Sequence, residues 1–191
     1  ISIPTSETQR ADTTKSIALL PGSRKQEINT LLPVMLETAR NFPNEQFIIT
    51  GISGLRALYP DSFPENVTLV FDSTYKILKM AKAAIVCSGT ATLETALFNV
   101  PQVVIYKTSW LNYQLGKRLI KVPYISLPNL IADEKIAEEL IQYDCTSEKI
   151  TKELEKLMQD SKQEFYNRLF QKMGTKGASQ KAATLILELA G

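Results

Sequence analysis

Apolar and polar positions along the chain follow two alternating patterns. Short, nearly continuous apolar runs occupy residues 16–20 (SIALL), 46–50 (QFIIT), 66–71 (NVTLVF), 83–87 (AAIVC), 103–106 (VVIY) and 124–127 (YISL). Gly, Pro or polar turn residues bound each run, and each reads as a strand. Between the first two runs, Ile28, Leu31, Leu32, Met35, Leu36 and Ala39 recur at three- and four-residue steps. That spacing predicts a helix over 24–40. Segments 53–59, 74–82, 90–98 and 110–120 read as further helices. Strands without polar alternation are expected where both sheet faces are covered. The alternation of strand and helix therefore predicts an α/β chain with an open parallel, Rossmann-like sheet. After residue 133 only helical patterns are expected: 133–142, 147–159, 162–173 and 176–190. The predicted organisation is an entry segment over 1–15, a Rossmann-like domain over 16–145 and a helical C-terminal tail over 146–191.

Composition narrows the chemistry. Among 191 residues there are 22 Lys+Arg, 20 Asp+Glu and no His. The absence of His excludes a Ser-His triad, a Cys-His pair and any His metal ligand. A net charge of +2 lacks the basic excess of a dedicated nucleic-acid binder, so no nucleic acid is expected as partner. Cys87 and Cys145 are far apart and form no C-x-x-C pair. They fit buried thiols in a reducing cytosol. The apolar runs are too short to span a membrane, and no signal peptide is recognisable. The chain opens Ile-Ser-Ile-Pro rather than Met, as expected of a processed protein or a piece of a longer one.

In open α/β sheets, ligands bind beyond the carboxyl ends of the strands. Two strand-to-helix turns look specialised. The first is Pro21-Gly22-Ser23-Arg24-Lys25-Gln26-Glu27. Gly22 permits close backbone approach, and Ser23 suits an N-cap with Gln26 as its capping-box partner. Arg24 and Lys25 then stand where cations oppose the helix dipole. A bound anion would reverse that cost; solvated surface cations are the plain alternative. The second turn is Ser88-Gly89-Thr90, with Glu94 about one helical turn further in. Hydroxyls and free amides suit a phosphate, and a carboxylate one turn below suits a ribose diol. A Glu favoured by the helix dipole is the alternative. Together the turns suit a nucleoside diphosphate attached to something neutral. No acidic cluster points to a metal. Segment 110–120 is amphipathic and basic, fitting a solvated face, a phosphorylated acceptor or an anionic membrane surface.

Three motifs in this order, LLPGSRKQEI, CSGTATLETALFNVPQVVIYK and KRLIKVPYISLPNLIA, resemble the lipid-A-disaccharide synthase family. The likeness is to its C-terminal half, the donor-nucleotide domain of an inverting GT-B glycosyltransferase of family 19, from about Ser16 to the chain's end. The resemblance implies transfer of a 2,3-diacylglucosamine unit from UDP to 2,3-diacylglucosamine 1-phosphate, with no cofactor. It implies a cytoplasmic enzyme, peripheral at the inner face of the inner membrane. By motif, Gly22, Ser23, Arg24, Ser88, Gly89 and Thr90 would hold the donor diphosphate, and Glu94 the ribose hydroxyls. The backbone at Phe71-Asp72 would meet the base. Asn129, Tyr106 and Lys107 would lie near the donor sugar or rim.

One departure from that family pattern is large. A GT-B enzyme needs two such domains, and the N-terminal acceptor domain, with its general base, is not in this sequence. The chain alone is therefore expected to bind UDP weakly and not to catalyse transfer. Residues 160–191 carry an apolar stripe that includes Phe165, Leu169 and Phe170. The stripe is expected to fold onto the chain's own core or to exchange into a homodimer. Another GT-B UDP-sugar enzyme and a non-catalytic nucleotide-binding domain are the rival readings; the Pro-Gly-Ser-Arg and SLPNLIA segments favour the lipid-A-disaccharide synthase resemblance over them.

Overall fold

The computed structural model describes residues 16–108 and 123–159, together with Tyr166 and Leu169. The predicted basic helix over 110–120 and the last two predicted helices lie outside these, apart from Tyr166 and Leu169. Elements run β1 (Ser16–Leu20), α1 (Lys25–Arg40), β2 (Phe47–Gly51), a 3-10 turn (Ser53–Leu58), β3 (Val67–Phe71), α2 (Thr74–Leu78), β4 (Ala81–Cys87), α3 (Thr90–Leu97) and β5 (Gln102–Tyr106). Then follow α4 (Leu127–Ala132), β6 (Glu138–Ile141), a 3-10 turn (Gln142–Asp144) and α5 (Ser147–Gln159).

The six strands form one sheet in the order β3-β2-β1-β4-β5-β6. Every neighbouring pair is parallel. The predicted open parallel α/β architecture is therefore what forms. Side chains alternate between two covered faces. Ile17, Leu19, Phe47, Ile49, Ala83 and Ile85 pack with Leu31 and Met35 of α1 and Ile150 and Leu154 of α5. Ala18, Leu20, Ala84 and Val86 pack on the opposite face with Ile77 and Leu78 of α2. Asn66 is buried and its Nδ2 donates to the Ala39 and Phe42 carbonyls, a second donor for acceptors that already take the Phe42 and Glu45 amides. Of the predicted apolar stripe, Leu169 packs on its own chain: together with Tyr166 it is buried against Ala96, Ala132 and Ile136.

Three local expectations are corrected. Residues 133–142 do not form a helix; Glu138–Ile141 is the edge strand β6, paired with β5 from Val103↔Glu138 to Tyr106↔Ile141. The helical spacing there is real, but pairing with an open sheet edge outweighs propensities of a few tenths of a kcal/mol per residue. Residues 124–127 are not a strand: this stretch leads into α4, with Ser126 at its N-cap and Pro128 in the first turn, a position where Pro costs the helix nothing. The helix predicted over 74–82 stops at Leu78, because β4 already begins at Ala81.

Candidate functional site

The strand order reverses between β1 and β4, and there the two singled-out turns meet. Leu20 pairs with Val86, so both strands end at one level. Gly22 and Ser88 each stand two residues beyond that pair. The helices that follow, α1 and α3, open on the same space. It is a cleft of about 390 Å³, lined by Gly22, Ser23, Arg24, Ser88, Gly89, Thr90 and Glu94, and also by Glu27. The positive ends of both helix dipoles face it. A second, shallower cleft joins Glu94 to Asp72, Ser73, Thr74 and Tyr75. Glu94 is thus shared between the space at the switch point and the turn after β3. Its carboxylate has no hydrogen-bond partner among the described residues.

The first turn differs from its predicted form. The N-cap of α1 is Arg24, not Ser23, and its partner is Glu27, not Gln26. Glu27 Oε2 accepts from the Ser23 amide at 2.9 Å and the Arg24 amide at 3.1 Å. The other oxygen pairs with Arg24 Nη1 at 2.9 Å. Gly22 makes room for this. Its φ is +104°, and a Cβ there would stand 2.8 Å from Glu27 Cβ. A backbone folded that way delays the helix by one residue, which shifts the cap from Ser23 to Arg24. Sequence reasoning missed Glu27 because it placed the cap one residue early.

The second turn is open. Gly89 has φ +154°, and no heavy atom lies within 4 Å of where a Cβ would be. Thr90 is exposed. Ser88 Oγ donates to the Ile125 carbonyl at 3.1 Å, tying this turn to the segment that enters α4.

The remaining predicted residues stand elsewhere. Phe71 ends β3, its ring edge-on to Tyr59 at 5.7 Å and beneath the Arg56 guanidinium. The next residue, Asp72, accepts from the Ser53 amide at 3.2 Å; the Ser53 hydroxyl first, and that amide second, hold its carboxyl below the usual range. Tyr106 ends β5 and Lys107 follows it, and neither lines the cleft. Neither does Asn129, which is fully buried. Its Nδ2 donates to the Ala137 carbonyl and Glu139 Oε1, and its Oδ1 accepts from the Ile136 and Ala137 amides, all at 2.8–2.9 Å. That uses its amide fully. Glu139 in turn accepts from the Ile125 and Ser126 amides and the Ser126 hydroxyl. The SLPNLIA segment is therefore a buried clasp behind the Ser88 turn.

The architecture defines a class. Solved structures with the same fold include the glycotransferase of kitacinnamycin, with TM-score 0.65 and 16% identity over 98% of this chain and 47% of that one. Another is the spinosyn rhamnosyltransferase SpnG complexed with thymidine diphosphate, with TM-score 0.60 and 16% identity over 85% and 42%. The chain thus has the fold of one half of a GT-B glycosyltransferase. The family follows from sequence: the model described as Lipid-A-disaccharide synthetase matches residues 3–189, and the chain belongs to the lipid-A-disaccharide synthase family. It is 38% identical to the lipid-A-disaccharide synthase of Geobacter sulfurreducens, over 92% of this chain and 49% of that protein. With that of Syntrophus aciditrophicus it shares 40%, over 94% and 50%. The chain spans about half the length of the curated relatives it matches.

Proposed function

We propose that this chain is the donor-binding half of a lipid-A-disaccharide synthase and that it holds UDP-2,3-diacylglucosamine in the cleft between β1 and β4. The observation that carries the reading is the meeting of Gly22, Ser23, Arg24, Ser88, Gly89, Thr90 and Glu94 around one cleft at the switch point. The diphosphate sits against the amides that open α3 and the Arg24 guanidinium. Glu94 takes the ribose hydroxyls. The base extends along the second cleft toward Phe71 and Asp72, and the sugar leaves toward the rim of Tyr106 and Lys107. Asn129 supports this arrangement from behind, through the clasp that holds Ile125 under Ser88.

In the complete enzyme, the 6-hydroxyl of 2,3-diacylglucosamine 1-phosphate attacks the donor's anomeric carbon opposite the UDP. The new glycosidic C–O bond forms as the bond to the β-phosphate oxygen breaks, and a base takes the hydroxyl proton. UDP leaves as a diphosphate, its charge met by Arg24 and the two helix dipoles. Base and acceptor site belong to the N-terminal domain, so this chain alone binds the nucleotide weakly and transfers nothing. The complete enzyme works in the cytoplasm at the inner face of the inner membrane. Its basic segment over 110–120 meets the anionic surface.

Two measurements test this reading. Arg24→Ala should weaken UDP binding roughly tenfold, the low end for a charge-assisted hydrogen bond from an exposed side chain; unchanged affinity contradicts the site. Mass spectrometry of the chain incubated with both lipid substrates should find no disaccharide; disaccharide formation would show that the chain needs no partner domain.

A further inference from the structure

Two helix N-termini open on the cleft, and one already holds an anion. The Glu27 carboxylate accepts both amides of the β1–α1 turn and pairs with Arg24. Its side chain is only 16% exposed, whereas that of Arg24 is 82% exposed. The α3 end is the reverse. Among the described residues no acceptor takes the N–H of Gly89, Thr90 or Ala91, and the space beside Gly89 is empty.

A helix cap alone would explain the two Glu27 bonds. It would not explain why the turn is shaped around them. A Cβ at position 22 would collide with Glu27, so the turn is built to admit this carboxylate. Its charge also reaches across the switch point. Burial first, and the negative field of Glu27 second, push the Cys87 thiol up to about 12.

We infer that Glu27 is a positioning residue of the donor site: it fills the β1–α1 amide pair as an internal anion, so the donor diphosphate is seated at the β4–α3 turn. Arg24 spends one guanidinium N–H on Glu27 and has the rest of its five donors for the phosphate. Glu27 thereby sets which of two dipole-favoured places the phosphates occupy and fixes the Arg24 fork beside it. It does so at a cost in raw nucleotide affinity, because two anions share one cleft. This inference rests on the donor-site reading above.

The test is titration of the 191-residue chain, wild type and Glu27→Gln, with UDP and with uridine. Gln retains an oxygen to accept the two amides, and a thermal melt confirms that the variant is folded. Removing the charge should tighten UDP roughly three- to tenfold, the range for one unit charge at short distance in partly screened surroundings. Uridine, which lacks phosphate, should bind both proteins alike. Glu27→Ala loses the cap as well and should still tighten UDP. Thr90→Pro deletes one α3 amide at a position where Pro is tolerated, and should weaken UDP. Wild-type binding that is unchanged or weaker in Glu27→Gln, or a gain shared equally by uridine, overturns the role given to Glu27 and leaves the donor site standing. If neither protein binds either ligand, the donor-site reading fails and this inference falls with it.

Discussion

Asn129 Nδ2 and Glu139 Oε1 meet at 2.8 Å, joining the first turn of α4 to the edge strand β6. The pair is part of a satisfied buried network, and its members do their work without reaching the cleft. Asn129→Ala would take the Asn129 side chain from the Ala137 amide and carbonyl, while the Ile136 amide keeps the Glu134 carbonyl. Buried polar groups left unpaired cost about 1–3 kcal/mol each where water cannot replace the partner. The expected loss is about 3 kcal/mol in urea unfolding. UDP affinity of the fraction that remains folded should change little. A large affinity loss at unchanged stability would instead make Asn129 a donor contact.

Gly22 should be the least replaceable residue of the first turn. Ala there meets both a φ of +104° and a contact with Glu27 too close for a real Cβ. Strain in that backbone region costs about 1–3 kcal/mol, and the displaced carboxylate adds to it. A thermal melt of Gly22→Ala should show a lower midpoint. Its affinity for UDP should also fall, because the strained backbone shifts the cleft wall that Gly22 and Ser23 form.

Cys87 lines the cleft yet should be chemically quiet. Burial chiefly, with Glu27 adding and Arg24 opposing, raises its thiol from the ordinary 9.0 to about 12. The Tyr166 phenol is likewise raised by burial to about 12. In both cases the folded state binds its proton more tightly than the unfolded state. The stability they contribute is fully present below about pH 9 for Cys87 and pH 10 for Tyr166, and is lost as pH rises toward about 12. Denaturant midpoints should therefore fall through that alkaline window. At pH 8 a thiol reagent should label Cys87 only after unfolding; fast labelling of the native chain would contradict this burial.

How far the sequence could be read depended on the range of the interactions. The strands from β1 to β5 were legible because each is an apolar run with its own turn signal. The meeting of Gly22 with Ser88 was legible in outline, since ligands gather where such strands end. Residues 133–142 were misread as a helix because Ile136, Ala137, Leu140 and Ile141 have helical spacing; only the open edge of β5 makes Glu138–Ile141 a strand. The motif resemblance places Asn129 near the donor sugar, but its buried bonds are not visible in the local pattern, because its partner Glu139 is ten residues away in an element whose spacing reads as helix. Glu27 was hidden by a single-residue error in the cap. Local pattern found the elements, whereas bonds that depend on sheet pairing or an unusual φ did not show in it.

The central claim is that the cleft between β1 and β4 holds a uridine nucleotide with its ribose on Glu94. Calorimetric titration with UDP tests it most directly, using the wild-type chain and Glu94→Ala. The wild-type chain should bind measurably, and binding should weaken roughly tenfold or more in the variant, as expected for hydrogen bonds to a charged group. A 2′,3′-dideoxy analogue should bind the two proteins alike. Equal UDP affinity in both proteins, or a loss in Glu94→Ala that extends to the dideoxy analogue, would contradict it.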